Sequence, residues 1–251
     1  MADPFIMIAP SGARRSKADH LAIPISVTEN IETAIACHAA GADALHLHVR
    51  DDEGLHSLDA DRYLETLAEL SRVLPDMPVQ ITTEAAGLFD VAAQLKCLTA
   101  VRPSWASISV REIDRSPELA DAVYGVCADN GTKVQHILYG VDDIVLLAQR
   151  QAQGIIRPEQ SDVIFVLGRY THGQTSAPSD LSPFLDAMPA RGNWMVCAFG
   201  AQEHPCLVEA AKLGGNLRVG FENSLTDSEG QAFEDNAASV SALHARLKGT
   251  P

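Results

Sequence analysis

The 251-residue chain is poor in cations and in aromatic side chains, and it has no long apolar run. Its 19 Lys and Arg face 33 Asp and Glu, a formal charge of −14 at pH 7. That deficit argues against nucleic acid as a partner, because a phosphate backbone needs a cationic face. It argues equally against an anionic membrane surface. No apolar stretch approaches the roughly 18 residues of a membrane-spanning helix. The start, Met1-Ala2-Asp3-Pro4, lacks the basic region that opens a signal peptide, so a cytoplasmic protein is expected. Cysteine is confined to Cys37, Cys97, Cys127, Cys197 and Cys206, an odd number with no CxxC pair. Buried reduced thiols are expected in place of a disulfide framework. A glycine-rich dinucleotide fingerprint is missing too. The first apolar run leads into Ala9-Pro10-Ser11-Gly12-Ala13, which weighs against a doubly wound open sheet.

What is present is enough apolar sequence for a sizeable core, and a rhythm in it. Short apolar runs occur at Phe5–Ala9, Ala44–Val49, Val79–Thr82, Trp105–Val110, Val134–Tyr139, Val163–Leu167, Trp194–Ala198 and Leu217–Phe221. Each is followed by a longer amphipathic segment, at about 31 residues per unit, the size of a βα module. The pattern predicts an α/β protein with a single (β/α)8 TIM barrel over residues 1–251. Thr28–Ala40 reads as a helix with Ile31, Ile35 and His38 on one face, and Asp59–Val73 as one with Tyr63, Leu64, Leu67 and Leu70 in a stripe. Ser116-Pro117 reads as a helix start, with the serine hydroxyl as cap and proline in the first turn. The long connections Pro10–Val27 and Gly168–Ser179 follow strands, where a barrel builds its active-site face.

Chemistry concentrates at the strand ends. In Leu45-His46-Leu47-His48-Val49-Arg50-Asp51, the i, i+2 spacing puts both imidazoles on one face of the second strand, toward the barrel interior. Two interior imidazoles without partners are costly, whereas two sharing a metal are not. A pair of hydrogen-bonded core histidines is the plainer reading. In Arg218-Val219-Gly220-Phe221-Glu222-Asn223, parity places Arg218, Gly220 and Glu222 on one face of the eighth strand. Glu222 is the candidate third metal ligand, and otherwise a surface residue or a partner for Arg218. Two His and one carboxylate leave metal positions open for a substrate carbonyl or water.

Other polar residues fall at matching places. Thr82, Thr83 and Glu84 close the third strand, Ser107 and Ser109 alternate on the fourth, His136 lies in the fifth, and Gly168-Arg169 closes the sixth. Each also reads as an ordinary cap, loop or core group. His20, His38, His56, His172 and His204 carry no spacing signal. Arg14, Arg15 and Lys17 form a local basic cluster in the first long loop, able to receive an anion or simply solvated.

Together these residues resemble the β-keto acid cleavage enzymes. The resemblance covers almost the whole chain, and its markers are Ala9-Pro10-Ser11-Gly12-Ala13-Arg14, His46–Asp51, Gln80-Ile81-Thr82-Thr83-Glu84 and Arg218–Asn223. It implies a TIM barrel holding a divalent metal, usually zinc, in a homo-oligomer, tetramer or dimer. It implies condensation of a β-keto acid with acetyl-CoA, giving acetoacetate and a new CoA ester. By motif, His46, His48 and Glu222 are the implied metal ligands and Arg218 the arginine that assists enolate chemistry. Thr82, Ser107 and Ser109 lie where the family contacts the substrate. The family commonly has Asp after the ligand Glu, where this chain has Asn223, and an amide cannot accept a proton as a carboxylate does. Members often carry an acid on the fifth strand where His136 is read, and can carry Glu at the place of Arg14. Both changes move the pocket toward neutral or positive, so an altered substrate side chain, acidic or uncharged, is expected.

Three other readings stay open. A hydrolase of the amidohydrolase kind also uses HxH in a barrel, but after the first strand and with Asp closing the eighth. A metal-dependent lyase or aldolase would use similar enolate chemistry without CoA. A metal-binding paralogue without its base at Asn223 would have no turnover.

Overall fold

In a computed structural model of the chain, residues 3–190 and 192–249 are described. Met1 and Ala2, part of the reading of the amino-terminal charge, lie outside them, as do Thr250 and Pro251 of the expected domain span.

Each of the eight apolar runs forms a strand. They are β1 (Ile6–Ile8), β2 (Ala44–Leu47), β5 (Val79–Thr82), β6 (Trp105–Ser109), β7 (Lys133–Leu138), β8 (Asp162–Leu167), β9 (Trp194–Ala198) and β10 (Asn216–Val219). Parallel strands covered on both sides read as near-continuous apolar runs, which is why the pattern is legible. They close into one parallel barrel in the order β1-β10-β9-β8-β7-β6-β5-β2. A small antiparallel pair, β3 (Val49–Arg50) and β4 (His56–Ser57), follows β2. At two residues each, these strands are too short to leave a sequence pattern.

The helices are α1 (Val27–Ala39), α2 (Ala60–Val73), α3 (Val91–Val101), α4 (Val110–Ile113), α5 (Pro117–Asp129), α6 (Val141–Ala152), α7 (Ser182–Ala187), α8 (Glu203–Lys212) and α9 (Asn236–Lys248). Side chains start several of them. Ser26 and Glu29 form a capping box on α1, and Asp59, Asp90 and Asp235 accept first-turn amides of α2, α3 and α9. Ser116 precedes α5 as expected, but its hydroxyl makes no capping bond. The buried face of α1 is Asn30, Ala34 and Cys37, not the Ile31, Ile35 and His38 face, and Ile35 is exposed. On α2, Tyr63, Thr66 and Leu70 are buried while Leu64 faces water. On α1 the barrel selects a face one position away from the one hydrophobicity alone picks, whereas on α2 Tyr63 and Leu70 of the expected stripe are buried, Leu67 packs against the core and only Leu64 turns away.

Strand alternation divides the core. Ile6, Ile8, Leu45, Leu47, Ile81, Ile108, Val134, Leu138, Val163, Phe165, Val196, Leu217 and Val219 pack outward against the helices. Met7, Ala44, Trp105, Ile137, Ile164, Val166, Met195, Cys197 and Phe199 form a second apolar cluster inside the ring. The five cysteines are free and buried. No described helix is long and apolar enough to cross a membrane.

Candidate active site

Leu45 and Leu47 point outward, so His46 points inward, and His48 keeps that face just past β2. His46 Nε2 lies 3.2 Å from His48 Nε2, and each lies 3.7 Å from Glu222 Oε2. The three ligand-type atoms lie within 4.8 Å of one another. Glu222 reaches them because the last strand docks on the first. Its amide donates to the Ala9 carbonyl at 3.0 Å, and two glycines allow the approach. Gly12 (φ +63°) and Gly220 (φ +136°) occupy left-handed backbone. A Cβ at Gly12 would stand 2.6 Å from Glu222 Cγ, and one at Gly220 2.6 Å from the Ala9 carbonyl oxygen.

The charge states suit a cation. Burial, reinforced by Arg218, lowers His46 to about 4, and burial followed by His46 itself drives His48 well below the ordinary imidazole range. Both rings are therefore neutral near pH 7. His46 Nδ1 meets Gln80 Oε1 at 2.8 Å. An amide oxygen only accepts, so Nδ1 carries the proton and Nε2 presents its lone pair to the centre. Glu222 Oε2 is buried without a hydrogen-bond partner. Two neutral imidazole nitrogens and an unsatisfied carboxylate oxygen are a donor set that fits a divalent metal.

Arg218 is the neighbouring cation, its side chain 4 % exposed. Its Nη2 donates to Cys197 Sγ at 3.3 Å and to Glu222 Oε1 at 3.4 Å, while Nε has no partner. Burial works against its charge, but Cys197, Glu222 and Tyr139 outweigh burial and hold it above the usual arginine value. His46, Arg218 and Glu222 line a cavity of about 310 Å³, open to solvent, with Thr82, Glu84, Tyr139, Arg169 and Phe199.

The remaining expected residues divide. Thr82 lines the cavity, its Oγ1 accepting from the Glu84 amide at 3.0 Å. Ser107 and Ser109 are buried on the inward face of β6, and both hydroxyls lack partners. Arg14 is at the rim, half-exposed, its Nη1 2.6 Å from Glu84 Oε1. The basic cluster does not converge: Arg15 donates to the Asn223 carbonyl and Lys17 pairs with Glu29.

Asn223 is buried beside the site. Its Nδ2 donates to Glu203 Oε1 at 2.9 Å and to the Arg218 carbonyl at 3.2 Å, so it holds the Arg218 main chain, not its guanidinium. His136 is a correction. It faces outward with Val134 and Leu138, donates from Nε2 to the Gln160 carbonyl (2.9 Å), packs on Tyr124 and lies outside the cavity. The side chains that β7 sends inward are Gln135, which accepts from Gln80 at 3.0 Å, and Ile137, which lines the cavity.

Several groups escaped sequence reasoning. Strand parity marks Gln80 and Gln135 as inward-facing. His56 had no signal, because it reaches His48 (ring centroids 5.2 Å apart) only through the β3–β4 turn. Glu203 sits at the start of α8 and meets the site only in three dimensions. Burial, opposed by bonds from Asn223 and the Gly220 amide, raises its carboxyl to about 8. Burial and then Glu222 raise Glu84 to about 7, against Arg14.

Residues 4–249 match the sequence pattern of one protein family, beta-keto acid cleavage enzyme. A 3-keto-5-aminohexanoate cleavage enzyme of Fusobacterium nucleatum is 27 % identical over 245 residues, covering 94 % of this chain and 88 % of the relative. A 3-oxoadipate:acetyl-CoA acetyltransferase of Cupriavidus necator is 25 % identical over 253 residues, covering 96 % and 87 %. Among solved structures, ObcA in its binary complex with oxaloacetate superposes with a TM-score of 0.68 at 17 % identity. That match covers 90 % of this chain but only 64 % of ObcA, so the chain spans about two-thirds of that protein, and the likeness shows the barrel alone.

Proposed function

Because the chain belongs to the beta-keto acid cleavage enzyme family, we propose that it transfers carbon between a β-keto acid and acetyl-CoA. In that reaction the bond between the keto carbon and the CH2–carboxylate unit of R–CO–CH2–COO⁻ breaks. The acetyl group joins that unit as acetoacetate, and R–CO passes to the CoA sulfur. The relatives named for acetyl-CoA-dependent transfer support this reading.

The observation that carries it is the convergence of His46, His48 and Glu222 beside Arg218 in one small cavity. These three would hold a divalent metal, zinc on this reading, which would supply Lewis-acid polarisation of the keto oxygen. The chain's own groups do the rest. Arg218, buried and cationic, stabilises negative charge as it develops, and does so more strongly than it would in water. Thr82, Ser107 and Ser109 offer hydroxyl donors to the carboxylate and ketone. Asn223 and Glu203 anchor the backbone that carries Arg218 and Glu222. The reading includes a homo-oligomer in the cytoplasm, and five buried free thiols suit a reducing compartment.

The test is to incubate purified protein with acetyl-CoA and a panel of β-keto acids. Acetoacetate and a new CoA thioester should form in equal amounts. Keto-acid cleavage without CoA involvement would replace this reading with a lyase, and metal binding with no turnover anywhere on the panel would replace it with a binding protein.

A further inference from the structure

The cavity has a second guanidinium that the reaction above does not use. Arg169 follows Gly168 at the end of β8 and lines the same space as Arg218. Its side chain is only 14 % exposed. Its guanidinium carbon lies 4.9 Å from the centre of the Phe199 ring, which shields one face from water. Its nearest anion is Glu84 Oε1 at 3.7 Å, beyond hydrogen-bond length. That oxygen is already taken by Arg14 Nη1 at 2.6 Å. Among the described residues Arg169 therefore has five N–H donors and no hydrogen-bond acceptor for any of them.

The guanidinium thus faces the open cavity with its fork unused, and a planar guanidinium is built for a bidentate carboxylate. The balance around Glu84 has the same sign: Arg14 and Arg169 face this one carboxylate, while Arg218 pairs with Glu222. A cationic substrate group would have to displace Arg14 from Glu84 and sit beside Arg169. An anionic one completes what is already there.

We propose that Arg169 is the specificity-determining residue for the distal end of the substrate, and that the preferred substrate is an oxo-dicarboxylate. One carboxylate is the one next to the reacting carbon, and the other, at the far end of R, pairs with Arg169. The inference rests on the keto-acid reading but is separable from it. The Phe199 face keeps the guanidinium flat, and Arg14 keeps Glu84 from neutralising it.

Two measurements on the full-length protein test this. The first compares kcat/KM for β-keto acids of equal length ending in carboxylate, methyl or amine. The second measures calorimetric binding of two unreactive probes, glutarate and pentanoate. The carboxylate-ended keto acid should lead by at least about 30-fold, the scale of a charge-assisted bidentate contact in a partly buried site. Glutarate should likewise bind more tightly than pentanoate. Arg169→Met should collapse both ratios toward one, and Arg169→Lys should restore only part of them, because a point charge lacks the fork. Preference for the methyl- or amine-ended acid would overturn the inference while leaving the reaction intact. So would an Arg169→Met variant with both ratios intact but a raised KM for acetyl-CoA, which would assign Arg169 to the CoA phosphates. If no keto acid turns over, yet glutarate is preferred and Arg169→Met removes that preference, the distal site stands and the reaction assignment falls.

Discussion

Two sets of buried imidazoles sit on the strands of this barrel, and they have opposite characters. His46 and His48 face inward, crowd each other at 3.2 Å, and point at a carboxylate oxygen that has no partner. His136 faces outward, one nitrogen on the Gln160 carbonyl and its ring against Tyr124. All three are desolvated and neutral near pH 7. What separates them is one residue of strand parity. On the outer side the loop before β8 supplies one acceptor and Tyr124 packs on the ring, so that only Nδ1 goes unpaired. On the inner side the ring of strands leaves donors and acceptors unmatched, and unmatched buried groups are where a ligand is expected.

The contrast can be broken most strongly from the inside. His46→Ala should lower metal content under dialysis by at least about 100-fold in affinity, and turnover with it. Gln80→Ala, which removes only the acceptor that orients His46, should weaken affinity by ~10–100-fold. Arg218→Met should keep the metal and lose about 10²- to 10³-fold in kcat, the scale of one charge-stabilising donor. Metal analysis by emission spectroscopy beside steady-state kinetics separates the three. Full metal retention in His46→Ala would remove the inward pair's distinction from His136.

Glu203 lies between the two cases, buried behind the site with Oε1 satisfied and Oε2 not. Its folded carboxyl sits near 8, above the usual glutamate value of 4.5. Between these values the folded chain keeps a proton that the unfolded chain releases, so stability falls as pH rises. Glu203→Gln preserves an acceptor for Asn223 and Gly220. It should raise the urea midpoint at pH 8.5 more than at pH 5, flattening the profile.

The smallest effect is expected from outside the ring. His136 drops to about 4 from 6.5, so the unfolded chain takes up a proton first, and stability falls as pH drops through that window. His136→Gln should cost about 1–3 kcal/mol at pH 7, from an imperfectly matched buried group, and less at pH 5. Its kcat should match the parent's. A loss of turnover without a loss of stability would return His136 to the site.

These residues also mark how far the sequence could be read. The barrel was legible because each strand is a short run with an apolar outer face, set at regular spacing, and the HxH and RVGxE blocks because alternation projects them inward together. His136 was misplaced because reading its run as a strand does not say which face is in. That requires Val134 and Leu138 to be recognised as the outer pair. Ile35 and Leu64 were misassigned because a helix on a barrel buries the narrow stripe that the strands touch, small residues such as Ala34 included. Glu203 and His56 were silent for another reason: Glu203 meets the site from a helix start and His56 from the short β3–β4 hairpin, and only the folded ring brings them there.

That closure has a consequence for how the site comes into being. The imidazoles belong to the second strand made, and Glu222 follows the last, held by the Ala9 carbonyl and fitted over Gly12. Until β10 docks on β1, two ligands exist and the third does not. A bound cation would thus act as a clasp on the seam between the two ends of the chain. It would stabilise the closed ring over the open one by the free energy of its own binding. Opening of that seam, followed by hydrogen exchange of the Glu222 and Ala9 amides, would then report metal occupancy without any substrate present.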